Sequence, residues 1–232
     1  IEDVSGLVNN KVDKPTPTQT GKLVYDSDTS AWTAIGLDDY VPYSATELVI
    51  GSGNEVDYQS NNVKNNFVQG TNNIVTNNNS ETFVQGKANK LFTSQDSLLQ
   101  GYGNSATNYY NFAQGAFNDT TFYSFTQGSN NTANNLSQAA GQTNSAWTAS
   151  VAFGDANTAK DYSLAQGTHN SADTTAFAQG SANTAKYGSL AQGWSNSAYY
   201  FALAQGNHNS ADTGSFAQGQ SNKAKNYSIA QG

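Results

Sequence analysis

The sequence predicts an all-β fold, a parallel β-solenoid or β-roll of 13-residue coils. Three observations carry the prediction. The phrase apolar-x-Gln-Gly recurs with its glycine at Gly70, Gly86 and Gly101, then every 13 residues from Gly115 to Gly232. That period is too short for a helix–turn–helix repeat, which needs more than about thirty residues. It fits two short strands and two tight turns, and small residues alternate with apolar or amide residues at the period of a strand.

Taken in order, residues 1–14 differ from all that follows. Ile1, Val4, Val8 and Val12 lie near heptad spacing and predict a short coiled coil, which Gly6 weakens. Residues 15–50 read as a linker, because all three prolines (Pro15, Pro17 and Pro42) fall before the repeats. Within it, KLVYDSDTSAWTAI reads as a small hairpin around Asp-Ser-Asp. Residues 51–114 carry coils of decreasing length, with gaps of 16, 15 and 14 between glycines. Residues 115–232 are the regular repeats.

Number each regular unit from its glycine as position 0. Position 3 is Asn in all nine units, from Asn118 to Asn222, and position 5 is Ala except at Thr120. Position 9 is always Ser or Ala, and position 11 is Ala except at Thr126. Position 12 is Gln except at Ala140 and Phe153. Gly-x-x-Asn reads as one turn, since both residues tolerate positive φ. Thr/Ser-Ala then opens the second strand. Coils stacked at ~4.8 Å make nine units a rod of roughly 43 Å.

Alternation puts positions 9 and 11 on one face and positions 10 and 12 on the other. A coil this thin has room inside only for small side chains, so positions 5, 9 and 11 are expected to fill it. Position 10 then points outward: Phe125, Val151, Leu164, Phe177, Leu190, Leu203, Phe216 and Ile229, with Gln138 the outlier. A long apolar stripe exposed to water favours aggregation, so burial against identical neighbours is expected. The alternative puts position 10 inside the coil and leaves a monomer. Position 6 alternates charge (Lys160, Asp173, Lys186, Tyr199, Asp212, Lys225), which supports in-line stacking of the coils.

Ten lysines, no arginine and seventeen acidic residues give a net charge of −7, against a nucleic-acid partner. The absence of cysteine excludes disulfides and thiolate metal sites. No apolar run reaches the ~18 residues of a membrane helix, so no membrane insertion is expected. The chain has no methionine and stops at a repeat boundary without a capping segment, as expected of an internal piece of a longer polypeptide. The uncharged polar composition suits an extracellular or virion fibre better than a cytosolic enzyme.

The Ser-apolar-Ala-x-Gly phrase with Asn-x-Ala between copies resembles the head repeat of trimeric autotransporter adhesins of the YadA type, over residues ~51–232. That resemblance implies a left-handed β-roll assembled as an intertwined or side-by-side homotrimer. The Gln at position 12 departs from the family, whose heads carry an apolar residue there; facing the threefold axis, these Gln would form stacked amide ladders. IEDVSGLVNNKVDKPT and LDDYVPYSATELVIGSG are similar to segments that precede or join domains in bacteriophage fibre proteins. Together the resemblances imply a virion tail or head fibre that attaches to a host surface and joins other virion proteins through its N-terminal side. A bacterial adhesin head is the alternative.

No catalytic constellation, cofactor motif or metal site is expected. His169 and His208 both sit at position 2, three coils and ~14 Å apart, too far to share a metal. Asp38 and Asp39 lack a partner histidine, and Asp155, Asp161, Asp173 and Asp212 read as scattered turn residues. A depolymerase would need a longer coil and a carboxylate cluster in a groove. An ice binder would need an outward Thr-x-Thr column. The remaining candidates are aromatics on loops, Tyr109, Tyr110, Trp147, Trp194, Tyr199 and Tyr200, which could stack on the sugars of a host-surface glycan.

Overall fold

The computed structural model describes residues 23–26, 31–34, 48–56, 66–76, 81–92 and 95–232. The coiled-coil reading of residues 1–14, the three prolines and Asp38–Asp39 lie outside the described residues. Strands are numbered in chain order. β1 (Leu23–Asp26) and β2 (Ala31–Ala34) pair antiparallel, with Leu23 opposite Ala34. From β3 (Leu48–Ile50) to β29 (Ile229–Gln231) the chain is a parallel β-solenoid.

Two sheets make it. Odd-numbered strands from β3 to β29 form one of 14 strands, and even-numbered strands from β4 (Glu55–Val56) to β28 (Lys223–Ala224) form one of 13. One regular coil shows the plan. The five-residue β19 (Leu164–Thr168) leads through a turn into the three-residue β20 (Ser171–Asp173), and a second turn leads to β21 (Phe177–Ser181). β21 lies directly on β19, with Phe177 beside Leu164 and Gly180 beside Gly167. Fourteen strands at ~4.8 Å give a rod of about 60 Å.

The early coils hold the same register. Gly70, Gly86, Gly101 and Gly115 stay paired in turn, as do Ile74, Lys90, Ser105 and Asp119 on the other sheet. Each of those second-sheet residues follows its glycine by four, so the extra residues of long coils enter at the second turn.

The interior is thin and made of positions 3, 5, 9 and 11. Val68, Val75, Val84, Leu91 and Leu99 fill the first coils, and an uninterrupted alanine column from Ala133 to Ala224 fills the later ones. Thr120, the position-5 residue one coil ahead of Ala133, is fully buried and donates to the Ser105 carbonyl at 3.2 Å, so the hydroxyl is satisfied. Position 9 hydroxyls work similarly: Ser163 Oγ accepts the Ala176 N–H at 3.0 Å. Position 10 is outside the coil, as expected, and the alternative placing it in the core is not adopted.

The asparagine column corrects the turn reading. Asn170 does not take a positive φ, and it is about 1% exposed. The left-handed residue of the first turn is position 2, as at His169 (φ 55), together with the glycine itself, as at Gly167 (φ 119). The second turn takes positive φ at both positions 7 and 8, as at Thr174 and Thr175 (φ 54 and 58), with no glycine required. Such residues cost about 1 kcal/mol or more each. Stacking offsets the cost, because their N–H groups donate to the preceding coil: Thr174 to the Lys160 carbonyl at 3.2 Å and Thr175 to that of Asp161 at 2.8 Å.

Position 0 needs glycine for a second reason. A Cβ on Gly180 would lie 2.1 Å from the Gly193 carbonyl oxygen, so the coils stack too closely for any side chain there.

Candidate functional site

Two outward surfaces carry the side chains that the fold does not use. The first is the outer face of the 14-stranded sheet, where positions 10 and 12 stand side by side. Phe125, Val151, Leu164, Phe177, Leu190, Leu203 and Phe216 are half-buried there in a single chain, and Ile229 on the last strand is exposed. In the same column Phe67 stacks on Phe83 and Phe112 on Phe125, each with centroids 4.8 Å apart.

Beside this column runs an amide ladder within one chain. Gln85 Nε2 donates to Gln69 Oε1 at 2.8 Å, and Gln100, Gln114 and Gln127 continue the run. A second run joins Gln166, Gln179, Gln192, Gln205, Gln218 and Gln231 at 2.9 to 3.2 Å. Ala140 and Phe153 separate the two runs, and in the Ala140 coil the amide moves to the apolar column as Gln138. The face thus has one apolar column, one amide column and a single crossing between them.

The second surface is the edge formed by the second turn. Positions 7 and 8 place Tyr109, Tyr110, Phe122, Tyr123, Leu136, Tyr162, Tyr187, Tyr200, Phe201 and Tyr227 along one ridge, all exposed. Tyr110 stacks on Tyr123 with centroids 4.9 Å apart, and Tyr187 on Tyr200 at 4.8 Å. Of the six sequence candidates, Tyr109, Tyr110 and Tyr200 lie on this ridge. Tyr199 borders it at the end of β24 (Ser197–Tyr199).

Trp147 borders the ridge in the same column as Tyr199, Trp194 lies elsewhere, and neither tryptophan is on a loop. Trp147 ends β16 (Ser145–Trp147), half-buried, with Lys160 Nζ 4.9 Å from its ring centroid. Trp194 ends β23 (Leu190–Trp194) on the opposite edge and packs edge-on against His208, centroids 4.4 Å apart. Sequence reasoning missed Phe122, Tyr123, Phe201 and Tyr227. Aligning the coils on their glycines would have gathered them, because they share positions 7 and 8.

The ridge begins in acid. Glu81 and Asp96 occupy the same turn position in successive coils, ahead of Tyr110 and Tyr123. A hydrogen bond to Asp96, then the charge of that carboxylate, holds the Glu81 carboxyl above its ordinary value. Asp96 also raises the Tyr110 phenol, chiefly through its charge. On the other sheet, partial burial raises Asp119, opposed by a hydrogen bond with Ser105.

His169 and His208 are exposed turn residues, and no group of three or more potential metal ligands occurs among the described residues. Asp155, Asp173 and Asp212 end strands and only Asp161 sits in a turn, a correction to their reading as turn residues. No family model and no curated protein matches the chain.

Proposed function

We propose that the chain is a shaft segment of a virion tail or head fibre, a homotrimer that stands its attachment surface off from the particle and contacts a host surface. Joining other virion proteins through its N-terminal side completes this reading, and its role is mechanical rather than enzymatic. One observation carries it: an apolar column, interrupted at Gln138 and flanked by two amide runs, lies along the outer face of the 14-stranded sheet and is half-covered in the single chain. A stripe of that length on a soluble rod marks a protein interface. A threefold arrangement covers all three stripes at once and leaves none open for further growth.

The phage-fibre resemblance of the N-terminal phrases supports a virion over a cell surface. The Ser-apolar-Ala-x-Gly repeat supports the second reading, a trimeric adhesin head on a bacterium.

Cross-linking tests the assembly. Lysine-reactive cross-linking of the parent chain should give a three-chain band, and the double variant Leu190→Asp/Leu203→Asp should give a single chain with unchanged β-type circular dichroism. A single-chain band from the parent at micromolar concentration contradicts the proposal.

A further inference from the structure

Position 8 of the ridge reads Tyr162, Thr175, Gly188, Phe201, Gly214 and Tyr227 in successive coils. Where rings follow one another they stack, as Tyr110 and Tyr123 do. Where a glycine precedes a ring, the ring drops onto it. A Cβ on Gly188 would lie 2.7 Å from Phe201 Cδ1, and one on Gly214 would lie 2.7 Å from Tyr227 Cδ1.

Phe201 and Tyr227 therefore lean the same way, two coils or ~9.6 Å apart. Between them is an open notch of about 430 Å³ lined by Tyr200, Phe201, Thr213, Gly214 and Tyr227. Phe201 and Tyr227 are 79% and 81% exposed, so neither ring is covered by its own chain. A ring inserted midway would sit ~4.8 Å from each, inside the 4.5–7 Å range of favourable ring stacking.

The rim decides what kind of ring. The Thr213 hydroxyl donates to Asp212 Oδ1 at 3.2 Å, and Lys225 follows one coil on, so the rim carries one charge of each sign. It offers no net attraction to an anion, and the chain as a whole carries −7. We infer that the notch binds a neutral sugar ring of a surface polysaccharide, with Phe201 and Tyr227 against its two C–H faces and the hydroxyls of the rim turned to its edge. The inference needs the second turn to stay open in any assembly, and it stands whether or not the rod is a trimer.

Saturation-transfer NMR on the full chain tests it, with cellohexaose, maltohexaose and chitohexaose as neutral probes. Irradiating the aromatic protons of the parent should transfer saturation to at least one probe. In Gly214→Tyr the new ring should fill the notch in the manner of the Tyr110–Tyr123 stack, keep the melting temperature at or above the parent's, and abolish the transfer. Phe201→Ala should reduce it at least fivefold. Transfer to none of the three from the parent overturns the inference, as does equal transfer from the parent and a folded Gly214→Tyr.

Discussion

The Asn170 side chain donates from Nδ2 to the carbonyl oxygen of Gly180 in the next coil, at 2.8 Å. It also donates to the Gln166 carbonyl at 2.9 Å and to Asn157 Oδ1 at 3.0 Å, while its own Oδ1 accepts both the N–H and the Nδ2 of Asn183. Every polar atom of a buried amide is satisfied, and each bond but one crosses to a neighbouring coil. The column runs unbroken from Asn54 to Asn222 and ties glycine turn to glycine turn.

Asn170→Ala removes this side chain and strands buried partners on both sides. At ~1–3 kcal/mol for each buried group left unpaired, the loss should be about 3–5 kcal/mol. Asn222→Ala, where the side chain is only half-buried, should cost about half as much. Chemical denaturation of the two variants checks the ordering, and equal losses would contradict it.

Two glycines with positive φ should respond very differently to alanine. Gly180→Ala puts its methyl into a backbone carbonyl at φ 114 and should destabilise by at least ~3 kcal/mol. Gly188→Ala, at φ 69, meets only the movable Phe201 ring, at a position where Thr175 and Leu136 are tolerated, and should cost less than ~1 kcal/mol. Thermal melts of both variants decide this, and a Gly188→Ala loss as large as that of Gly180→Ala would sink it.

The Glu81–Asp96 pair should make the early coils sensitive to pH. The Glu81 carboxyl is raised in the fold above its ordinary 4.5, so the folded chain binds that proton more tightly than the unfolded one. The sign follows: the contribution is fully present below 4.5 and is lost as pH rises through the folded value. Amide exchange at Phe83 and Leu98, corrected for its intrinsic pH dependence, should speed up between pH 4 and 7 in the parent. In Glu81→Gln that rise should vanish; an identical rise would contradict the assignment.

What was legible in the sequence follows from what a period can show. The glycine spacing and the alternation of Ala178 with Phe177 and Gln179 state the coil, the strands and the outward face. The role of Asn170 was hidden, because in isolation asparagine is a turn former. It becomes a buried residue only when a neighbouring coil supplies its partners. The second turn was hidden too: Thr174 and Thr175 carry no left-handed preference, and the hydrogen bonds between coils impose it. Trp147 and Trp194 stood out by size, yet the stacked edge belongs to Phe201, Tyr227 and their neighbours, whose common column emerges only after the coils are aligned.

The central claim is that the face carrying Leu164, Phe177, Leu190 and Leu203 is covered by two further copies of the chain. Sedimentation equilibrium of the unmodified chain tests it most directly. A mass of three chains, constant across the micromolar range, is the predicted result. A mass of one chain over that range, with the β-type circular dichroism of the solenoid intact, would contradict it.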